Sequence, residues 1–131
     1  MSDLANLSTA TKNETGSEMI LTHPETGEDL LNSSDQPMTI VLVGRDSKEF
    51  RRYQAGLASK ARQKKKDLTW SELKKSELEL LASCTRDFKN LEFNGDDLAF
   101  TYDNAINLYK DFSWIKDQVD VYITDVSNFL T

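Results

Sequence analysis

The chain has 131 residues, 38% hydrophobic and 29% charged, which matches an ordinary soluble domain and excludes fibrous or low-complexity classes. A single cysteine, Cys84, excludes an internal disulfide framework and fits a reducing compartment. No stretch approaches the ~20 apolar residues of a membrane span, and the N-terminus lacks the basic start and apolar core of a secretory signal.

The net charge of −6 is segregated. Residues 1–44 carry −6, residues 45–66 carry +7, and residues 67–131 carry −7. A basic block between two acidic ones can pair internally, pair between subunits, or meet an acidic partner.

Residues 1–18 are rich in Ser, Thr and Asn with almost no apolar repeat, and read as a flexible arm. Residues 19–131 read as a single, mainly helical domain. Between Met19 and Leu31, Pro24 and Gly27 punctuate apolar pairs. Met38-Thr-Ile-Val-Leu-Val43 is β-branched and ends at Gly44, so it reads as a strand. Together these segments predict a small β-hairpin or meander that must lean on helices or on another subunit.

Four helices are expected to follow. Asp46, with Glu49 three residues on, opens the first, whose apolar positions are Phe50, Tyr53, Leu57 and Ala61. Thr69-Trp-Ser-Glu72 is a capping box for the second, with Leu73, Leu78, Leu80, Leu81, Phe88 and Leu91 on its apolar faces and Asn94-Gly95 as its stop. Thr101 caps a short third helix carrying Ala105, Ile106 and Tyr109. The fourth has the strongest pattern. Ile115, Val119, Tyr122, Ile123, Val126, Phe129 and Leu130 repeat as one helical face, with Ser113 as the expected cap and Lys116, Asp117, Asp120 and Asp125 towards water. The predicted fold class is α+β, mainly α.

Catalytic chemistry finds little footing. His23 is the sole histidine, lies in a turn beside Pro24, and has no nearby His or Cys partner. Cys84 sits in an apolar helical context and reads as a small buried residue rather than a nucleophile. The carboxylates Asp96, Asp97, Asp117, Asp120 and Asp125 lack the spacing of a calcium loop, and there is no Gly-rich phosphate loop. No enzyme, no cofactor and no metal site is expected. The run Lys60-Ala-Arg-Gln-Lys-Lys-Lys66 has the charge to meet phosphates, but the acidic balance of the chain and the lack of interleaved aromatics argue against nucleic acid. Candidate partner-binding residues are therefore Arg51, Arg52, Lys64, Lys65 and Lys66 on the basic stretch and Trp114, Ile115, Val119 and Tyr122 on the terminal helix. Trp70 reads as a core anchor; Trp114 divides evenly between core and interface anchor.

Three segments carry a family resemblance: Met38-Thr-Ile-Val-Leu-Val-Gly-Arg-Asp-Ser-Lys-Glu-Phe-Arg-Arg52, Phe100-Thr-Tyr-Asp-Asn-Ala-Ile-Asn-Leu-Tyr109, and Trp114-Ile-Lys-Asp-Gln-Val-Asp-Val-Tyr-Ile-Thr-Asp-Val-Ser-Asn-Phe-Leu130. In their order, over about half of the chain, they resemble the small tail assembly chaperones of long-tailed bacteriophages. The Ser/Thr/Asn-rich arm before Met19 departs from that pattern. The resemblance implies a non-enzymatic protein of the host cytoplasm. It would bind the tape measure protein, or another phage tail protein, and keep it soluble during tail assembly. Such proteins are absent from the finished virion and are often extended by a translational frameshift. Charge segregation adds self-association, a homo-oligomer, as an expectation. Two other classes stay open: a structural tail or baseplate component, and a small phage inhibitor that binds a host defence protein.

Overall fold

A central strand organises the fold. In the computed structural model, which describes residues 3–64 and 69–130, β2 (Thr39–Leu42) buries all four of its residues. It pairs antiparallel with β1 (Ser17–Ile20) on one side and with β3 (Thr85–Lys89) on the other. Met19 faces Ile40 across the first ladder, and Phe88 faces Ile40 across the second. The β-branched run up to Gly44 suits a strand covered on both faces.

Five helices are present among the described residues: α1 (Ala10–Thr15), α2 (Lys48–Lys64), α3 (Trp70–Ser83), α4 (Tyr102–Asp111) and α5 (Ser113–Thr124). The fold is α+β and mainly α, as the sequence predicts. Ile40, Leu42 and Val43 meet Leu81 and Cys84 at the end of α3, Ala105 and Tyr109 from α4, and Val119 and Ile123 from α5. Tyr109 is buried with its hydroxyl 2.7 Å from Thr85 Oγ1, and Thr85 Oγ1 donates to Leu81 O at 2.8 Å. Tyr109 is therefore the donor to Thr85, and the chain of bonds ties α3, β3 and α4 together.

Residues 1–18 were expected to be an arm, and the boundary at 19 falls inside β1. A 3-10 turn spans Leu4–Leu7, α1 follows, and β1 joins the sheet. The fixing groups are polar. The Asn13 side chain is buried, accepts from Gly44 N at 2.6 Å and donates to Thr9 O at 2.9 Å. The segment from Leu21 to Met38 folds back on itself: Leu21 N donates to Met38 O, Leu30 N to Leu21 O, and Met38 N to Leu30 O, each at 2.9 Å.

The helix caps follow the sequence at two of four places. Thr69 Oγ1 accepts from Glu72 N, and Thr101 Oγ1 from Asn104 N. The cap of α2 is Ser47, whose hydroxyl accepts from Phe50 N at 3.2 Å, rather than Asp46. Ser113 is the first residue of α5, not its cap; the chain enters through Phe112 with no side-chain bond.

Two expected helices are shorter than their apolar patterns. α3 ends at Ser83, so Phe88 and Leu91 reach the core from β3 and the turn after it. Asn94-Gly95 does not end a helix; it is the turn of a small hairpin between β4 (Glu92–Phe93) and β5 (Asp96–Asp97), with φ of 54° and 84°. Two successive positive φ values are what a two-residue hairpin turn requires, and Asn-Gly supplies them at little cost. α5 ends at Thr124. Asp125 then caps a 3-10 turn, Val126–Phe129, by accepting from Ser127 N and Ser127 Oγ, contacts that hold its carboxyl below the usual range. Phe129 is buried by this change of direction.

Candidate functional site

The sequence-predicted site residues do not form one patch. Arg51 and Arg52 are exposed on α2, where Arg51 pairs loosely with Asp46 at 3.6 Å. Lys64 is the last residue of α2, and Lys65 and Lys66 lie outside the described residues. Ile115 and Val119, offered as partner-binding residues, are 5% and 0% exposed and lie in the chain's own core. Tyr122 is half-buried with its hydroxyl 2.6 Å from Ser17 Oγ and 3.1 Å from Glu18 O, and fastens α5 to β1. Trp114, like Tyr122, is half-buried against the core, and packs edge-on against Phe112, centroids 6.2 Å apart.

Lys116 departs from its expected place in water. It is largely covered and pairs with Glu77 of α3 at 2.8 Å, which raises its ammonium pKa above the ordinary lysine value. Beside it, burial and the Glu77 charge raise the carboxyl pKa of Asp120.

A concave surface of about 740 Å³ lies between α2, α3 and the start of α4. Arg52 stands on one wall, and Tyr53, Phe100 and Tyr102 supply aromatic surface. Ser59, Ser76 and Ser83 leave room between the helices. The phenols of Tyr53 and Tyr102 are pushed above the ordinary tyrosine value, first by burial and next by nearby groups that include Glu79. At the inner end, Glu49 Oε1 accepts from Arg86 at 2.9 Å, while Oε2 is buried without a hydrogen-bond partner among the described residues.

Cys84 is fully buried, and burial followed by the Glu49 charge pushes its thiol up to about 12. A thiol held neutral in this way is a poor nucleophile. His23 Nδ1 accepts from Glu25 N at 3.1 Å and Thr26 N at 3.3 Å, so the ring serves as a turn clamp. Among the described residues no group of three or more His, Cys, Asp or Glu side chains is placed to hold a metal ion. No helix among them is long and apolar enough to cross a membrane.

A second surface, which the sequence reading missed, lies at the corner of α4 and α5. Phe93 on the small hairpin is 51% exposed and stands edge-on to Phe112 at 6.3 Å, continuing the Phe112–Trp114 pair into a three-ring ladder. Leu31 is 49% exposed. The available signal was Asn94-Gly95 read as a hairpin turn, which would have set Phe93 on a protruding β-ribbon. Trp70, expected in the core, is 73% exposed at the start of α3, with Lys74 Nζ 5.8 Å from its ring centroid.

No family model matches this chain, and neither a curated protein nor a solved structure matches it.

Proposed function

We infer that the protein is a non-enzymatic tail assembly chaperone of a long-tailed bacteriophage. In this reading it works in the host cytoplasm, binds the tape measure protein and keeps it soluble while the tail forms. The observation that carries the reading is the open cleft between α2, α3 and α4. A groove of about 740 Å³ walled by two helices, with three aromatic rings and three serines, suits the side chains of a third helix. A tape measure protein is long and helical, so it offers such a face along its length. The resemblance of the strand-to-α2, α4 and α5 segments to tail assembly chaperones supports the same reading.

The test is co-expression with the tape measure protein. The expected result is a soluble tape measure that co-purifies with this chain. It should be lost for Arg52→Glu combined with Tyr102→Ala, two exposed positions whose replacement leaves the fold intact. If the tape measure stays insoluble with the wild-type chain, the reading fails. Mass spectrometry of purified particles separates a chaperone, absent from virions, from a structural tail component. Recovery of a host protein instead of a tail protein would point to an inhibitor.

A further inference from the structure

We propose that a second copy of this chain docks Trp70 into the apolar cavity beneath the Phe93–Phe112–Trp114 ladder, so that copies join head to tail. The inference concerns the chain alone and does not depend on the tail reading.

The knob comes from a helix that overruns its support. Trp70, Glu77 and Leu81 share one stripe of α3, at offsets 0, 7 and 11. At Leu81 the stripe is buried, and at Glu77 it meets Lys116 of α5 at 2.8 Å. At Trp70 the stripe has left the body, and an indole is 73% exposed with Leu73, three residues on, 43% exposed. A large exposed aromatic next to a second exposed apolar side chain is a feature of binding surfaces.

The hole lies at the opposite corner of the chain's chemistry. It is lined by Leu21, Leu30, Met38 and Leu98 together with Phe93 and Trp114. Its volume is about 200 Å³. An apolar cavity of ~150 Å³ accepts benzene, so this one has room for an indole beside the rings of Phe93 and Trp114. Charge favours the same pairing. Lys74 and Lys75 are exposed beside the knob against one acid, Glu72, whereas Glu92 lines the hole and Asp96 and Asp97 lie on the next strand. Opposite charges around an apolar centre select this pairing over contact of either surface with itself.

Knob and hole sit on different elements, so the contact is heterologous. Each copy that gives its Trp70 keeps its own hole free, and association continues into a ring or an open chain.

Sedimentation velocity on the isolated protein tests this with two variants at exposed positions. Trp70→Ser removes the knob and keeps the hole; Phe93→Asp spoils the hole and keeps the knob. Wild type is expected to form concentration-dependent species beyond the dimer. Each variant alone is expected to lose association by at least ~10-fold, as for a central aromatic anchor. The mixture of the two variants should form dimers and nothing larger. Wild-type tryptophan emission should shift to the blue as association proceeds, and Trp70→Ser should not show the shift. If Phe93→Asp disturbs the circular dichroism spectrum, Asp96→Lys with Asp97→Lys replaces it as the hole variant. A wild type that stays monomeric to its solubility limit, a Trp70→Ser variant that associates like wild type, or a mixture that stays monomeric would each overturn the proposal.

Discussion

The side-chain amide of Gln118 pairs with both backbone groups of Thr22. Thr22 N donates to Oε1 at 3.1 Å, and Nε2 donates to Thr22 O at 2.8 Å. A glutamine on α5 thus stands where a neighbouring strand would stand, just beyond the end of β1. With the Tyr122 hydroxyl 3.1 Å from Glu18 O, it covers the outer edge of the sheet, which would otherwise present unpaired groups for association.

Replacing Gln118 by Ala removes two hydrogen bonds to partly buried backbone. The expected loss is about 1–3 kcal/mol, at ~0.5–1.5 kcal/mol per bond. Urea unfolding measures it, and amide exchange at Thr22 should quicken in the same variant.

Asn13 and Gly44 form a second such contact. A Cβ on Gly44 would meet Asn13 Oδ1 and the Phe129 ring, each at 2.9 Å. Gly44→Ala is therefore expected to destabilise by about 1–3 kcal/mol through crowding. Asn13→Leu should cost a similar amount by leaving Gly44 N buried without an acceptor. Thermal unfolding reads both, and the double variant should lose less than the sum, because the two residues touch.

The two faces of α5 should respond oppositely to charge. Val119 is fully buried, whereas Val121 on the same helix is 69% exposed. Val119→Asp is expected to cost several kcal/mol and to unfold much of the population, because it combines a cavity with an unpaired buried carboxyl. Val121→Asp should fall within ~0.5 kcal/mol of wild type. Circular dichroism in urea distinguishes them.

Alkaline pH should weaken the fold through Cys84. Its thiol is raised from 9.0 to about 12 in the folded chain, mainly by burial. The unfolded chain therefore releases this proton first as pH rises. The stability that the neutral thiol contributes is fully present below pH 9 and is lost as pH climbs towards 12. Tyr109, also raised by burial, acts in the same direction at higher pH. Stability measured by denaturant at stepped pH should fall over this range and fall less steeply in Cys84→Ala. The native thiol should resist alkylation at neutral pH and react on unfolding.

The parts of this fold that are legible in the sequence are those whose signal repeats. The α5 face shows as Ile115, Val119 and Ile123, all buried, and α4 shows as Ala105 and Tyr109 behind the Thr101 cap. The α1 and β1 region is held by Asn13 and Ser17, single polar side chains bonding to distant backbone, and such tethers leave no periodic trace. The end of α3 was hidden because Leu81, Phe88 and Leu91 fall at offsets 0, 7 and 10, which a helix also allows; the strand is too short to show its own alternation. The candidate cleft is assembled from α2, α3 and α4, and only tertiary packing brings Tyr53 and Tyr102 to one place. Trp70 shows the converse. Its capping box is visible in the sequence, but whether anything covers the first turn depends on where neighbouring elements stop.

The bond from Ser17 Oγ to Asn128 O spans 111 residues at 2.7 Å. During synthesis, β1 leaves the ribosome long before the residues that close its edge. Until Gln118, Tyr122 and Asn128 have emerged, that strand is an open template, and the long loop closure is slow compared with forming the helices between. The segment that holds Gln118, Tyr122 and Asn128 is thus the one that retires an open edge of the nascent chain. A ribosome stalled before residue 118 would hold out a sheet that any passing strand can join.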